Sequence, residues 1–321
     1  MNAIPLDQQR FDRYDTSTST FVLAIVTDED QAAQVELDDG QIAWQSTVRY
    51  DRLYRREDPD TEQVSYEVEQ IPPEEGGLNR LISLVAEGGR GAEFSELALF
   101  GERLLAFDDR TGMVCEIREG HQLIPRQILM TGSGDERFKG FKSEWATLKG
   151  DRLIVGSHGK NREESWIKEI NPGYRIESRD WQGPYRRILQ ALGIDPERGY
   201  ATHEAAEWHP HDELWYFFPR KISTEPFQEA RDERECGGNT LVVADESFAD
   251  IRMMNVGERV PERGVSSFKF IPGRPRECVG LKSVEIGDET ETYLFCFDVD
   301  GTVLQRDTFL GAYKCEGVEI L

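Results

Sequence analysis

The sequence predicts an all-β chain folded as a single five-bladed β-propeller. Three observations lead there. Strand-like segments dominate, they come in short meanders, and five of them, each led by Ser or Glu, recur at separations of 49, 60, 62 and 50 residues. The five are Ser95 in GAEFSEL, Glu144 in GFKSEW, Glu204 in ATHEAAEW, Ser266 in GVSSFKF and Glu316 in KCEGVEI. A sheet-rich unit of that length cannot bury its apolar faces alone, so it packs on its neighbours and closes into a ring.

Taken in order, residues 1–20 read as an N-terminal extension and 21–321 as one propeller domain. FVLAIVT (21–27), QIAWQSTVRY (41–50) and VSYEVEQI (64–71) show strand alternation or short apolar runs. FSELALF, RLLAFDD and MVCEIRE then follow in quick succession, one blade in sequence form. The pattern returns as EWATLKGDRLIVGS, as AAEWHPHDELWYFFPRK, and as SSFKFIPGRPRECVGLKSV with TYLFCFDVDGTVLQ. One short helix is expected over 184–196, with a stripe at Ile188, Leu189 and Leu192 and a stop at Gly193. The terminal KCEGVEIL carries a ring residue but has no strands after it, whereas the N-terminal strands lack a ring residue. Joined, they make a composite blade that closes the circle as velcro.

Composition narrows the function. With 38 basic and 61 acidic residues the net charge is −23, which repels nucleic acid and anionic membranes and attracts divalent cations. Lysine is scarce, nine against 29 arginines, and first occurs at Lys139. The five cysteines form no CxxC pair, so buried free thiols are expected. No apolar run reaches membrane-span length, and MNAIPLDQQRFDRYD lacks the basic start and apolar stretch of a signal peptide. A cytoplasmic protein, or the mature form of a secreted or lumenal one, is the expectation.

If each ring residue opens the innermost strand of its blade, all five point at the central channel. Three carboxylates and two hydroxyls around an axial hole suit a hard cation such as Ca²⁺, which would also keep close carboxylates charged. Elsewhere, DDRTG (108–112) is a hairpin turn and equally a place where acidic residues beside an arginine activate water and hold phosphate. TDED (27–30) is a similar acidic strand end. His203, beside Glu204, is a candidate to line the channel. GSGDERFKGFK lacks the GK[ST] ending of a phosphate-binding loop, but its Lys139 and Lys142 remain candidates for phosphate contact beside the reading as a solvated loop. FDVDGTV matches a phosphatase nucleophile motif, yet only 18 residues follow Val303, too few for the α/β domain that chemistry needs. It reads as a hairpin turn. HEAAEWHPH has Glu207 where a zinc-protease helix needs its second histidine.

GRGAEFSEL, AFDDRTGMV, KGFKSEWATLK, HEAAEW with FFPRK, GVSSFKFIPG and CEGVEIL together resemble the soluble calcium-activated nucleotidases, or apyrases. The resemblance runs from Phe21 to Leu321. It implies a five-bladed propeller with one Ca²⁺ in the channel, hydrolysing nucleoside di- and triphosphates to release phosphate. It implies Ser95, Glu144, Glu204, Ser266 and Glu316 as calcium ligands, Asp109 as the acidic residue near the attacked phosphate, and Asp28 and Asp30 as the acidic strand end near the metal. Asp109, with Asp28, is expected to orient or deprotonate water. Arg110, Lys142, Arg220, Lys269 and Lys282 are the candidates to stabilise phosphate charge. The chain is expected to act as a monomer or homodimer. Two other classes stay open: a non-enzymatic propeller stapled by calcium, and a propeller lactonase, whose expected Asn and Asp ligands are missing.

Overall fold

The computed structural model describes residues 4–134 and 139–321, apart from the side chains of residues 30 and 31. Five antiparallel sheets form the blades of the propeller. Their innermost strands are Phe94–Phe100, Trp145–Lys149, Tyr200–His209, Gly264–Ile271 and Cys315–Ile320. Nearly every residue of these strands is buried, because each has the strands of neighbouring blades on both faces. Interblade packing supplies the apolar core in five clusters, such as Phe218, Phe268, Phe295 and Phe297 in one of them. That arrangement is why a single meander has no independent stability.

The closing blade is composite, as the sequence predicts. Cys315–Ile320 pairs with Thr20–Thr27 in the register Leu23↔Ile320 and Ile25↔Val318. Thr20–Thr27 in turn pairs with the 16-residue strand Ile42–Glu57, whose two halves carry Leu78–Ser83 and Val64–Gln70 as separate outer partners. Gly317 is required here: a Cβ would stand 2.7 Å from Glu96 Cα on the next innermost strand.

The expected helix is α2 (Gln182–Ala191), beginning two residues earlier than the sequence suggests and ending on Gly193 at φ +72°. The Ile194 amide bonds the Leu189 carbonyl at 2.9 Å, a left-handed stop. Its buried face is Tyr185 and Ile188 rather than the full Ile188–Leu189–Leu192 stripe. Two further short helices escape the periodicity, α1 (Leu6–Phe11) before it and α3 (Glu229–Glu235) after it. Each spans two turns or fewer, too short to show a 3.6-residue repeat.

The N-terminal segment packs on the propeller. Asp7 accepts the Gly150 amide at 2.6 Å, Arg10 pairs with Glu319, and the Phe11 ring packs on His209 and Phe270. These partners lie at or beyond the ends of innermost strands, so α1 sits at the channel mouth opposite the strand beginnings. Between the two mouths the channel is filled. Lys269 Nζ lies 3.0 Å from Glu96 Oε2, 2.8 Å from Glu207 Oε1 and 2.9 Å from the Ala146 carbonyl.

Candidate functional site

Four of the five ring residues occupy β-bulges. Strand register slips across Ser95, between His203 and Ala206 around Glu204, across Ser266, and opposite Glu316, which is skipped between Cys315 and Gly317. A bulge leaves one residue out of the ladder and re-aims its side chain. Glu144 stands directly before Trp145–Lys149, its amide held by the Gly156 carbonyl at 2.8 Å. All five are buried.

Contacts run around the ring. Ser95 Oγ donates to the Ser143 carbonyl, next to Glu144, and Ser266 Oγ donates to the Cys315 carbonyl at 3.2 Å, next to Glu316. His158 Nε2 lies 3.2 Å from Glu144 Oε1 and 2.9 Å from Glu204 Oε1. Arg220 Nη1 contacts both Glu204 and Glu316, and its Nη2 lies 3.0 Å from Glu285 Oε2. The three ring glutamates therefore open on one cavity of about 200 Å³.

That cavity is lined by Asp28, Asp109, Glu144, Glu204, Glu285 and Glu316, and by Arg90, Lys142, Lys160, Arg220, Lys221 and Lys314. Among the described residues, six lysine and arginine side chains stand there against six carboxylates, with His158 beside them, on a chain of net charge −23. An anionic ligand meets far less repulsion here than over the average surface.

Burial and the local charges set each protonation state. Burial opposes the charge on Lys142, but Asp109 and Glu144 outweigh it and hold the ammonium well above its ordinary range. Glu204 is likewise penalised by burial, yet Arg220 and His158 keep it well below the usual carboxylate range. Glu316 goes the other way. Burial, with Asp28 and Glu204 adding repulsion, pushes it well up despite Lys314 and Arg220. Burial also raises Glu144.

The donor chemistry fits a hard cation. Asp109 Oδ1 is buried and accepts no hydrogen bond, and Glu144 Oε1 is buried against Lys142 Nζ at 2.6 Å and His158 Nε2 at 3.2 Å. Ser95 and Ser266 spend their single protons on backbone carbonyls, which leaves hydroxyl lone pairs available. Two of the three ring carboxylates are held in a state that a divalent ion would relieve. Ser95, Glu144, Glu204, Ser266 and Glu316 are the oxygen-bearing residues that would hold such a cation.

Asp28, at the end of Thr20–Thr27, lines the same cavity with its carboxylate 2.8 Å from Lys314 Nζ. Asp109 is held there by Lys142, and its amide bonds the Glu93 carbonyl at 2.9 Å. The side chain of Asp30 lies outside the described residues. Other candidates are not brought to the cavity. Arg110 turns away, its Nε donating to the Glu87 carbonyl at 3.2 Å. His203 stacks on Tyr185 with ring centroids 4.8 Å apart, and burial holds its pKa down to about 3. Lys269 is consumed by the channel network with Glu96 and Glu207. Lys282 lies in another cavity, paired with Asp307 at 2.7 Å. Lys139 is exposed.

Sequence reasoning missed His158, Lys314, Arg90, Lys160, Lys221 and Glu285. Four of the nine lysines line this cavity, but nothing in their local sequence marks them for it.

The family model "Apyrase" matches residues 29–321. This chain belongs to the apyrase family. An apyrase from Cimex lectularius is 35% identical over 313 residues, covering 94% of this chain and 82% of the relative. The "Soluble calcium-activated nucleotidase 1" of Rattus norvegicus is 39% identical over 252 residues, 75% of this chain and 62% of the rat protein. "Apyrase apy-1" of Caenorhabditis elegans is 36% identical over 248 residues, 73% of this chain and 69% of that one. Apyrases are hydrolases of phosphoanhydride bonds, so this family member is an enzyme of that class. Among the described residues no helix is long and apolar enough to cross a membrane.

Proposed function

We propose that this apyrase hydrolyses nucleoside di- and triphosphates in a calcium-dependent reaction at the cavity over the propeller ring. One observation carries the reading: Glu144, Glu204 and Glu316 converge at a single mouth, beside Asp28 and Asp109 and within a set of six cations. These glutamates with Ser95 and Ser266 would hold the Ca²⁺, which would supply Lewis-acid polarisation of a phosphoryl oxygen.

The remaining chemistry belongs to the side chains. Asp109 has one oxygen engaged by Lys142 and the other, Oδ1, buried without a hydrogen bond. That free oxygen is the acceptor for a proton of the attacking water. Asp28 is the second carboxylate able to orient it. Lys142, Arg220, Lys314 and Arg90 stand around the cavity to offset charge that builds on the phosphate oxygens. The charged lining of the cavity takes the phosphates, and the nucleoside extends through the mouth. Lys160 and Phe227, with Nζ 4.3 Å from the ring centroid, form part of that rim.

Phosphate release from UDP, GDP and ADP, measured with calcium and with EGTA, tests the proposal. Calcium-dependent release supports it. Thermal stabilisation by calcium without phosphate release would instead identify a calcium-stapled binding module.

A further inference from the structure

The all-oxygen cage contains an intruder. His158 follows the strand Arg152–Gly156 in the sequence GSHGK and inserts its imidazole between two ring carboxylates. We propose that Glu144, His158 and Glu204 form a mixed nitrogen–oxygen site for Zn²⁺, and that Zn²⁺ bound there keeps Ca²⁺ out of the ring. The first half stands on these three residues alone, while the second rests on the calcium reading above, because Glu144 and Glu204 serve both ions.

Geometry supports a small ion. His158 Nε2 is 2.9 Å from Glu204 Oε1 and 3.2 Å from Glu144 Oε1, and one ligand atom from each residue lies within 4.8 Å of the others. Tetrahedral Zn²⁺ with bonds near 2.0–2.1 Å sets its donors about 3.3 Å apart, so small side-chain shifts suffice. All three residues are buried. Three protein ligands with a fourth position open to the cavity is an arrangement zinc commonly takes.

Donor identity then separates the ions. Ca²⁺ takes oxygen ligands, six to eight of them, whereas imidazole suits Zn²⁺ and its transition-metal neighbours. The far side of the ring is supported as well. His158 Nδ1 faces Glu164 Oε2 at 3.7 Å, and neither atom has a hydrogen-bond partner. A modest closure would make the carboxylate–histidine–metal relay that fixes a metal-binding imidazole. Glu164 is itself positioned by its amide bonding Asn161 Oδ1 at 3.0 Å. Lys142 Nζ, 2.6 Å from Glu144 Oε1, must swing aside, and its side chain is 30% exposed on the cavity side.

The test uses the full chain stripped of metal. Titration calorimetry with ZnCl₂ should show one tight site, and X-ray absorption at the zinc edge should show a single imidazole with oxygen donors. His158→Gln should lose both the tight site and the imidazole signature while still binding Ca²⁺. Glu164→Gln should weaken zinc about 10- to 100-fold. His211→Gln, which removes a surface histidine, should change neither result. Preloaded zinc should raise the calcium concentration needed for phosphate release in wild type but not in His158→Gln. Absence of a tight site in wild type, an all-oxygen zinc shell, or an imidazole signal that survives His158→Gln would overturn the proposal. The absorption result on wild type needs no variant to fold. A protein that ignores calcium yet binds zinc through His158 would sink the calcium reading and leave this site standing.

Discussion

Glu204 and Glu316, carried by innermost strands with one blade between them, meet on a single nitrogen, Arg220 Nη1. The guanidinium spans the mouth and offsets two buried carboxylates at once. Removing one partner from such a cluster leaves charge without compensation, a loss of about 3–5 kcal/mol for a buried pair. Arg220→Gln should therefore lower the melting temperature in EGTA, and saturating calcium should recover much of the loss. The KM for nucleoside diphosphates should rise in the same variant. Equal melting temperatures for wild type and variant in EGTA would show that Arg220 is not the counter-charge of this pair.

Glu144→Gln keeps the shape of a ring side chain and removes its charge. A charge-assisted interaction lost here is worth about 1.5–3 kcal/mol, so calcium affinity should fall about 10- to 100-fold. Turnover at fixed calcium should fall with it. Calorimetry beside phosphate release checks the coupling, and a variant with full activity and weakened calcium binding would detach the ring from the chemistry.

Asp109→Asn separates acid–base work from structure. Asn retains an acceptor for Lys142, and the backbone bond to Glu93 is untouched. Calcium affinity and melting temperature should stay near wild type while kcat drops about 10²- to 10⁴-fold, the usual worth of a positioned general base. Loss of folding would reduce Asp109 to a turn residue.

The blades were legible because strand alternation and a recurring Ser or Glu survive in one-dimensional form. Velcro closure was legible for the same reason, since a ring residue without following strands had to borrow them. Bulges were not. Nothing in GVSSFKF distinguishes Ser266, which faces the ring, from Ser267, which bonds Glu96 at 3.0 Å lower in the channel. The lysines show the limit of reading charge alone. Lys269 sits three residues after Ser266, and that offset carries it down the channel to Glu96 and Glu207 rather than to the mouth. Conversely, Lys314 and His158 belong to the cavity only because strand ends from different blades meet there, a relationship no local pattern encodes.

Closure by the last strand makes the C-terminus indispensable. Cys315–Ile320 is wholly buried, supplies Glu316 to one mouth and Glu319 to Arg10 at the other, and gives the closing blade its innermost strand. Deleting residues 314–321 should leave no cooperative unfolding transition by circular dichroism. Ile320→Ala, a milder change at a fully buried position, should cost about 2–5 kcal/mol in denaturant unfolding. A truncated chain that still melts cooperatively would mean that the ring closes without its clasp.

Asp108 supplies a pH dependence independent of the metal. Its carboxylate accepts amides from Arg110 and Thr111 at 2.9 Å and from Ala92 at 3.0 Å, which shapes the turn that presents Asp109. Burial nonetheless pushes its pKa up to about 6, from the 3.8 of an ordinary Asp. The folded chain thus holds this proton more tightly than the unfolded one. Its contribution is most favourable below the unfolded value and is lost as pH rises from about 4 to about 6, a swing of about 3 kcal/mol at 1.36 kcal/mol per unit. Asn at this position keeps an acceptor oxygen but cannot ionise. Asp108→Asn measured in EGTA should therefore gain stability relative to wild type as pH climbs across that interval and stay level above it. A difference between the two proteins that is flat from pH 4 to pH 7 would mean that Asp108 ionises as freely in the fold as in the open chain.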